Sequence, residues 1–158
     1  MEPINRTTLK RLAVLFWVLS AVCMGVIFWL SSRTAQESSE QSDVFAAFLS
    51  FLIKDNDTRV LVVRKTAHCL EYTGLALLLS GAWYFTAGGQ KPWLAVLCTS
   101  LYAVTDELHQ LFVEGRSCEL LDWGIDTVGG ILGTAAFAVL LHFVIRMMEK
   151  RETKSESL

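Results

Sequence analysis

Leu12 to Leu30 reads LAVLFWVLSAVCMGVIFWL, without a single charge. At about 1.5 Å of rise per residue, a helix of that length crosses the roughly 30 Å hydrocarbon core of a bilayer. Polar sequence brackets it: Arg6, Lys10 and Arg11 come before, and Ser31-Ser32-Arg33-Thr34-Ala35 follows. The run is long for the core of a signal peptide, and the residues after it make a poor cleavage site. It reads as a retained first membrane span.

The rest of the chain agrees with that reading. Its 158 residues are 53% hydrophobic, and the mean hydropathy is +0.41. The apolar residues gather in long uncharged blocks rather than amphipathic periods, the signature of a membrane protein. The length predicts a single domain over residues 1–158. The net charge of -2 says little about partners, and no basic stripe points to nucleic acid. The four cysteines contain no CxxC pair and form no disulfide framework. Cys69 and Cys118 are the pair that would share a membrane side.

Outward from the first span, residues 31–43 are polar and serine-rich and predict a surface loop. Val44 to Ile53 is apolar but too short to cross, which predicts an interfacial or re-entrant segment. Lys54-Asp55-Asn56-Asp57 reads as a polar turn. Three more spans follow, at about 67–85, 93–112 and 122–148. Pro92 is placed to open the third, and Glu149 to Leu158 is expected to be a frayed, charged tail. The expected fold is all-α, an integral membrane four-helix bundle. Arg6, Lys10 and Arg11 at one end and Arg146, Lys150, Arg151 and Lys154 at the other, with Lys91 between, put both termini in the cytoplasm.

That topology aligns the polar residues. His68 and Glu71 fall at the outer end of span two. Asp106, Glu107, His109 and Gln110 fall at the outer end of span three. Asp122 and Asp126 fall at the outer end of span four. Ionisable groups are costly at membrane depth and ask for a functional reason. Three helices that carry them at one level predict one composite site near the outer interface. Arg64, His68 and Glu71 share a helix face, with Lys65 beside them. Asp106 and Glu107 point about 100° apart, so that one faces the site and the other meets Arg64, Lys65 or Arg116. His109 reads as a ring held by Asp106. Asp122, Asp126, Gly129 and Gly133 form a stripe that lets a neighbouring helix come close.

At these residues the sequence resembles the VanZ-like family. The matching pieces are Lys65-x-x-His68-x-x-Glu71-Tyr72, Asp106-Glu107-x-x-Gln110-x-Phe112-x-x-Gly115-Arg116 and Asp122-x-x-x-Asp126-x-x-Gly129, with Phe28-x-x-Ser31-Ser32 closing span one. The resemblance implies asparagine at the position of Asp126, and the acid departs from it. It also implies a bacterial envelope setting and lowered susceptibility to the glycopeptide teicoplanin, but no reaction.

Two readings of the site remain open. In one, Lys65, Gln110, Arg116, Asp122 and Asp126 bind a lipid-linked or envelope substrate. Glu71, Asp106 and Glu107 then act as acid and base, and His68 or His109 as shuttle or as ligand to a divalent metal. In the other, the protein is not catalytic. It binds antibiotic, membrane lipid or another membrane protein, and ion pairs such as Glu107 with Arg116 only hold the helices.

Overall fold

The computed structural model describes residues 5–34, 36–38 and 53–156, and among them every regular element is helical. The helices are α1 (Arg6–Ser31), α2 (Asn56–Ala87), α3 (Pro92–Gln110) and α4 (Leu120–Glu156). The apolar segment expected at 44–53 lies outside the described residues apart from Ile53.

Local chemistry sets the helix ends. Asn5 caps α1, its side-chain oxygen accepting from Thr7 N at 3.1 Å. Asp55 caps α2, accepting from Thr58 N at 2.8 Å. α2 ends at Gly88, whose φ of 67° is the left-handed conformation glycine tolerates best. Pro92 opens α3 as expected. Two boundaries differ from the sequence reading. α2 begins at Asn56, so the supposed turn is its cap and first residues. α4 runs on to Glu156 instead of fraying after Met148. The lysines, arginines and glutamates of that tail are good helix formers even though they are polar.

Hydrogen bonds from the Thr58 hydroxyl and amide hold the Asp55 carboxyl below its ordinary range. A carboxyl depressed in the folded state stabilises fully above its unfolded pKa of about 3.9, and the contribution fades as pH falls through the lower folded value. Asp55→Ala should therefore lower the melting temperature at neutral pH. Its deficit against the unsubstituted protein should shrink in melts run below about pH 4.

α2 lies against each of the other three helices, most extensively against α4 and α1, while α3 leans on α4 and α2. The core joins Ile27 of α1, Tyr72, Leu75 and Leu79 of α2, and Ala95 and Ala103 of α3. At the α2–α4 seam the glycine stripe does what its spacing suggests. A methyl group at Gly129 would strike the Cys69 carbonyl, and one at Gly133 the Thr73 carbonyl. Small residues here let two backbones nearly touch.

α1 and α4 are long and apolar enough to cross a membrane, and only 11% and 22% of their most apolar windows are buried. A core helix of a soluble protein would be mostly buried. These helices instead turn Val14, Val18, Val22, Leu132, Val139 and Phe143 outward. α2 and α3 do not meet the same measure of apolarity, because each carries the polar residues of the site. All four cysteines are free, and no bridge joins Cys69 to Cys118.

Candidate functional site

The N-terminal half of α2, the C-terminal end of α3 and the first turns of α4 meet at one end of the bundle. From α2, Lys65 reaches α4 and pairs with Asp122, and it lies 3.3 Å from Glu119. One turn further along, His68 Nδ1 sits 3.7 Å from Asp126 Oδ1. That distance is too long for a hydrogen bond and is an ion pair only when the ring is protonated. The i, i+3 spacing of Lys65 with His68 and the i, i+4 spacing of Asp122 with Asp126 carry both contacts up the same seam as Gly129 and Gly133.

From α3, Asp106 and Glu107 are both 2% exposed. Asp106 Oδ2 accepts from Gln110 Nε2 at 3.2 Å. Glu107 Oε2 accepts from the Glu119 backbone N–H at 2.8 Å, which ties α3 to the start of α4. Glu71 is half-buried, and Glu71, Asp106 and Asp126 all lie near enough to His68 to act on it electrostatically.

Several buried polar atoms of this region have no hydrogen-bond partner, and neither have Arg59 Nε, Trp83 Nε1 and His109 Nδ1 elsewhere. Asp126 is fully buried, and neither of its oxygens has a hydrogen-bond partner. The same is true of His68 Nδ1, Tyr72 OH, Asp106 Oδ1 and Glu107 Oε1. Buried polar atoms are nearly always satisfied, and each one left alone costs about 1–3 kcal/mol. Three helices contribute to this group: Tyr72 and His68 from α2, Asp106 and Glu107 from α3, and Asp126 from α4.

Several expected partnerships are absent. Neither Asp106 nor Glu107 forms an ion pair with Arg64, Lys65 or Arg116. Lys65 is taken by Asp122 and Glu119, and Arg116 Nε donates to the Arg33 carbonyl at 3.2 Å. His109 is not held by Asp106. It turns to α1, its ring edge-on to Phe28 at 4.2 Å and its Nε2 3.4 Å from Ser32 Oγ. The Ser32 hydroxyl proton goes to the Phe28 carbonyl at 2.6 Å, which leaves His109 Nε2 to donate. His109 therefore belongs to the α1–α3 seam, apart from His68 and Asp126. Among the described residues no group of three or more His, Cys, Asp or Glu side chains is arranged to hold a metal ion.

At the rim, the connection between α3 and α4 turns at Gly115, with φ 75°. Hydrogen bonds from Ser117 and Lys65 hold the Glu119 carboxyl below its usual range. Burial, and then the neighbouring Arg64, pull the Arg116 guanidinium down from its usual value, although arginine stays charged at neutral pH.

Two residues were not singled out for the site from sequence. Tyr72 is fully buried with an unpartnered hydroxyl, and its position one turn after His68 was the available signal. Glu119 looked like a loop acid. Only the fold shows that it links Lys65 to Glu107.

These features define an all-helical protein with two helices fit to cross a membrane and a buried acid–histidine cluster at one end of its helices. A family model described as VanZ/LLP1 matches residues 16–142. The chain belongs to the VanZ/LLP1 family, whose members are membrane-associated. Neither a curated protein nor a solved structure matches it.

Proposed function

We propose that the chain is a single-domain, four-span protein of the bacterial plasma membrane with both termini cytoplasmic. Its polar cluster faces outward and acts on a lipid-linked envelope substrate, lowering susceptibility to teicoplanin. What supports this reading is the group of unpartnered buried atoms on Tyr72, His68, Asp106, Glu107 and Asp126.

Arg64 and Arg116 bind the phosphate or carboxylate of the substrate at the rim. Glu71 and Asp106, on facing helices, exchange protons with the reacting oxygens, and His68, steadied by Asp126, passes protons between the cluster and the rim. Lys65 stays with Asp122 and Glu119 and positions α2 against α4. Because the resemblance implies asparagine where Asp126 stands, that residue is given no part in proton transfer.

The test is isosteric. Glu71→Gln and Asp106→Asn, each expressed to the level of the unsubstituted protein in a susceptible host, should abolish protection against teicoplanin. Loss of acid–base help costs about 10²–10⁴ in rate. Full protection from both variants would sink the acid–base role. The second reading, a non-catalytic protein that binds antibiotic or a lipid headgroup, draws on the Lys65–Asp122 tie, which is plainly structural.

A further inference from the structure

Asp126 of α4 and His68 of α2 face each other across the glycine seam, and neither is complete alone. Asp126 is wholly buried, and no hydrogen bond reaches either of its oxygens. The Nδ1 atom of His68 is buried and equally without a partner. Nδ1 stands 3.7 Å from Asp126 Oδ1, about 0.5 Å beyond an ordinary N–H···O hydrogen bond. The terminal torsion of histidine is broad, so a small turn of the ring closes that gap at little cost. The backbones have less room to adjust. Gly129, a turn after Asp126, meets the carbonyl of Cys69, the residue after His68. That contact holds the two side chains in register.

The proton between them has one favourable place. A lone pair on Nδ1 would face the lone pairs of the carboxylate. Imidazole is the stronger base, with an ordinary pKa of about 6.5 against about 3.9 for aspartate, so the proton belongs on nitrogen. A buried carboxylate needs compensation. The Nδ1–H and the Lys65 ammonium, a turn earlier on α2, both act on Asp126, against the like charge of Asp106. The other ring nitrogen is differently placed. The His68 side chain keeps 13% of its surface exposed. Nδ1 is sealed in, whereas Nε2, which makes no hydrogen bond among the described residues, reaches that surface.

We propose that Asp126 is a positioning residue: it keeps the proton of neutral His68 on Nδ1 and so leaves Nε2 as the working base. The proposal rests on the proton-passing role given to His68 above, and it names the atom that performs it. A lone pair at Nε2 can only accept, so the group it meets is an O–H or N–H of the substrate or a water. Glu71 and Asp106 lie near the same ring and stabilise the imidazolium that forms when Nε2 takes that proton. Asp126 itself neither gives nor takes a proton. An asparagine in its place, whose carbonyl oxygen also accepts, fills the same role.

The tautomer can be read directly. Protein labelled with nitrogen-15 at its three histidines is purified in micelles. Two-bond proton–nitrogen correlation spectra are recorded at about pH 8, above the ordinary imidazole range. His68 is assigned by the signals lost in His68→Gln. It should show the Nδ1–H tautomer, which free histidine disfavours. His109, whose Nε2 donates to Ser32, is the reference for the other tautomer. Asp126→Asn should leave His68 as it is. Asp126→Val, with a branched apolar group of nearly the carboxylate's shape, should move it to Nε2–H. Protection against teicoplanin should follow the tautomer, kept in Asp126→Asn and lost in Asp126→Val. An Nε2–H or doubly protonated ring in the unsubstituted protein overturns the proposal. So does an Nδ1–H ring that persists in Asp126→Val or is lost in Asp126→Asn. Full protection from Asp126→Val overturns it as well.

Failure here is separable from failure of the acid–base reading. If His68 holds the other tautomer while Glu71→Gln and Asp106→Asn abolish protection, only the assignment of Nε2 is wrong. If the tautomer and its response to Asp126 are as stated while both of those variants protect, the positioning stands and the roles of Glu71 and Asp106 fall.

Discussion

Gly129→Ala should destabilise the protein, and Gly74→Ala should not. In an exposed stretch of helix, glycine to alanine is worth roughly 0.5–1 kcal/mol of stabilisation through backbone entropy. Gly74, with nothing within 4 Å of an added methyl, should show that gain. At Gly129 the same methyl meets the Cys69 carbonyl. A backbone carbonyl in mid-helix cannot rotate aside as a side chain can, so α2 and α4 must separate. Overpacking of this kind costs about 1–3 kcal/mol. Because the seam also carries the Lys65–Asp122 and His68–Asp126 contacts, the loss should fall at the upper end of that range. Melting in detergent micelles gives the comparison directly. A Gly129→Ala midpoint at or above that of Gly74→Ala would show that the two backbones do not touch.

Lys65→Met should be the most damaging single change at the site. Asp122 is 6% exposed, and with Lys65 gone it is a buried carboxylate without a counter-charge. Breaking one side of a buried pair costs about 3–5 kcal/mol, whereas replacing both partners with apolar groups is often neutral or stabilising. The double variant Lys65→Met with Asp122→Leu should therefore melt close to the unsubstituted protein. It also separates two roles. If Lys65 only positions α2, the double variant keeps protection against teicoplanin. If Lys65 also touches the substrate, stability returns and protection does not. Exchanging charges between Glu107 and Arg116 offers no such test, since Glu107 is held by a backbone amide and Arg116 by a carbonyl.

Much of this was legible in the residues, for identifiable reasons. The two most apolar long runs are α1 and α4, because crossing a bilayer demands length and apolarity together. The level shared by His68, Glu71, Asp106, Asp122 and Asp126 followed from counting along the spans. The glycine stripe followed from a four-residue spacing. What stayed hidden depends on helix rotation and on caps. Arg64 and Lys65 interrupt hydropathy but not hydrogen bonding, so the start of α2 at Asn56 was missed. The choice of Lys65 between Asp106, Glu107 and Asp122 turns on how α2 is rotated against α3 and α4, and no pattern within one helix records that. The turn of His109 toward Ser32 and Phe28 is of the same kind.

The length of α2 has a mechanical consequence. At about 1.5 Å per residue, its 32 residues run roughly 48 Å from Asn56 to Ala87 without a break. The turns from Asn56 to Val60 and the side chains of Lys65, His68 and Glu71 therefore ride on one continuous rod. That rod is gripped at Cys69 and Thr73, where Gly129 and Gly133 of α4 come against its backbone. A tilt of its first turns about that grip moves the three side chains together.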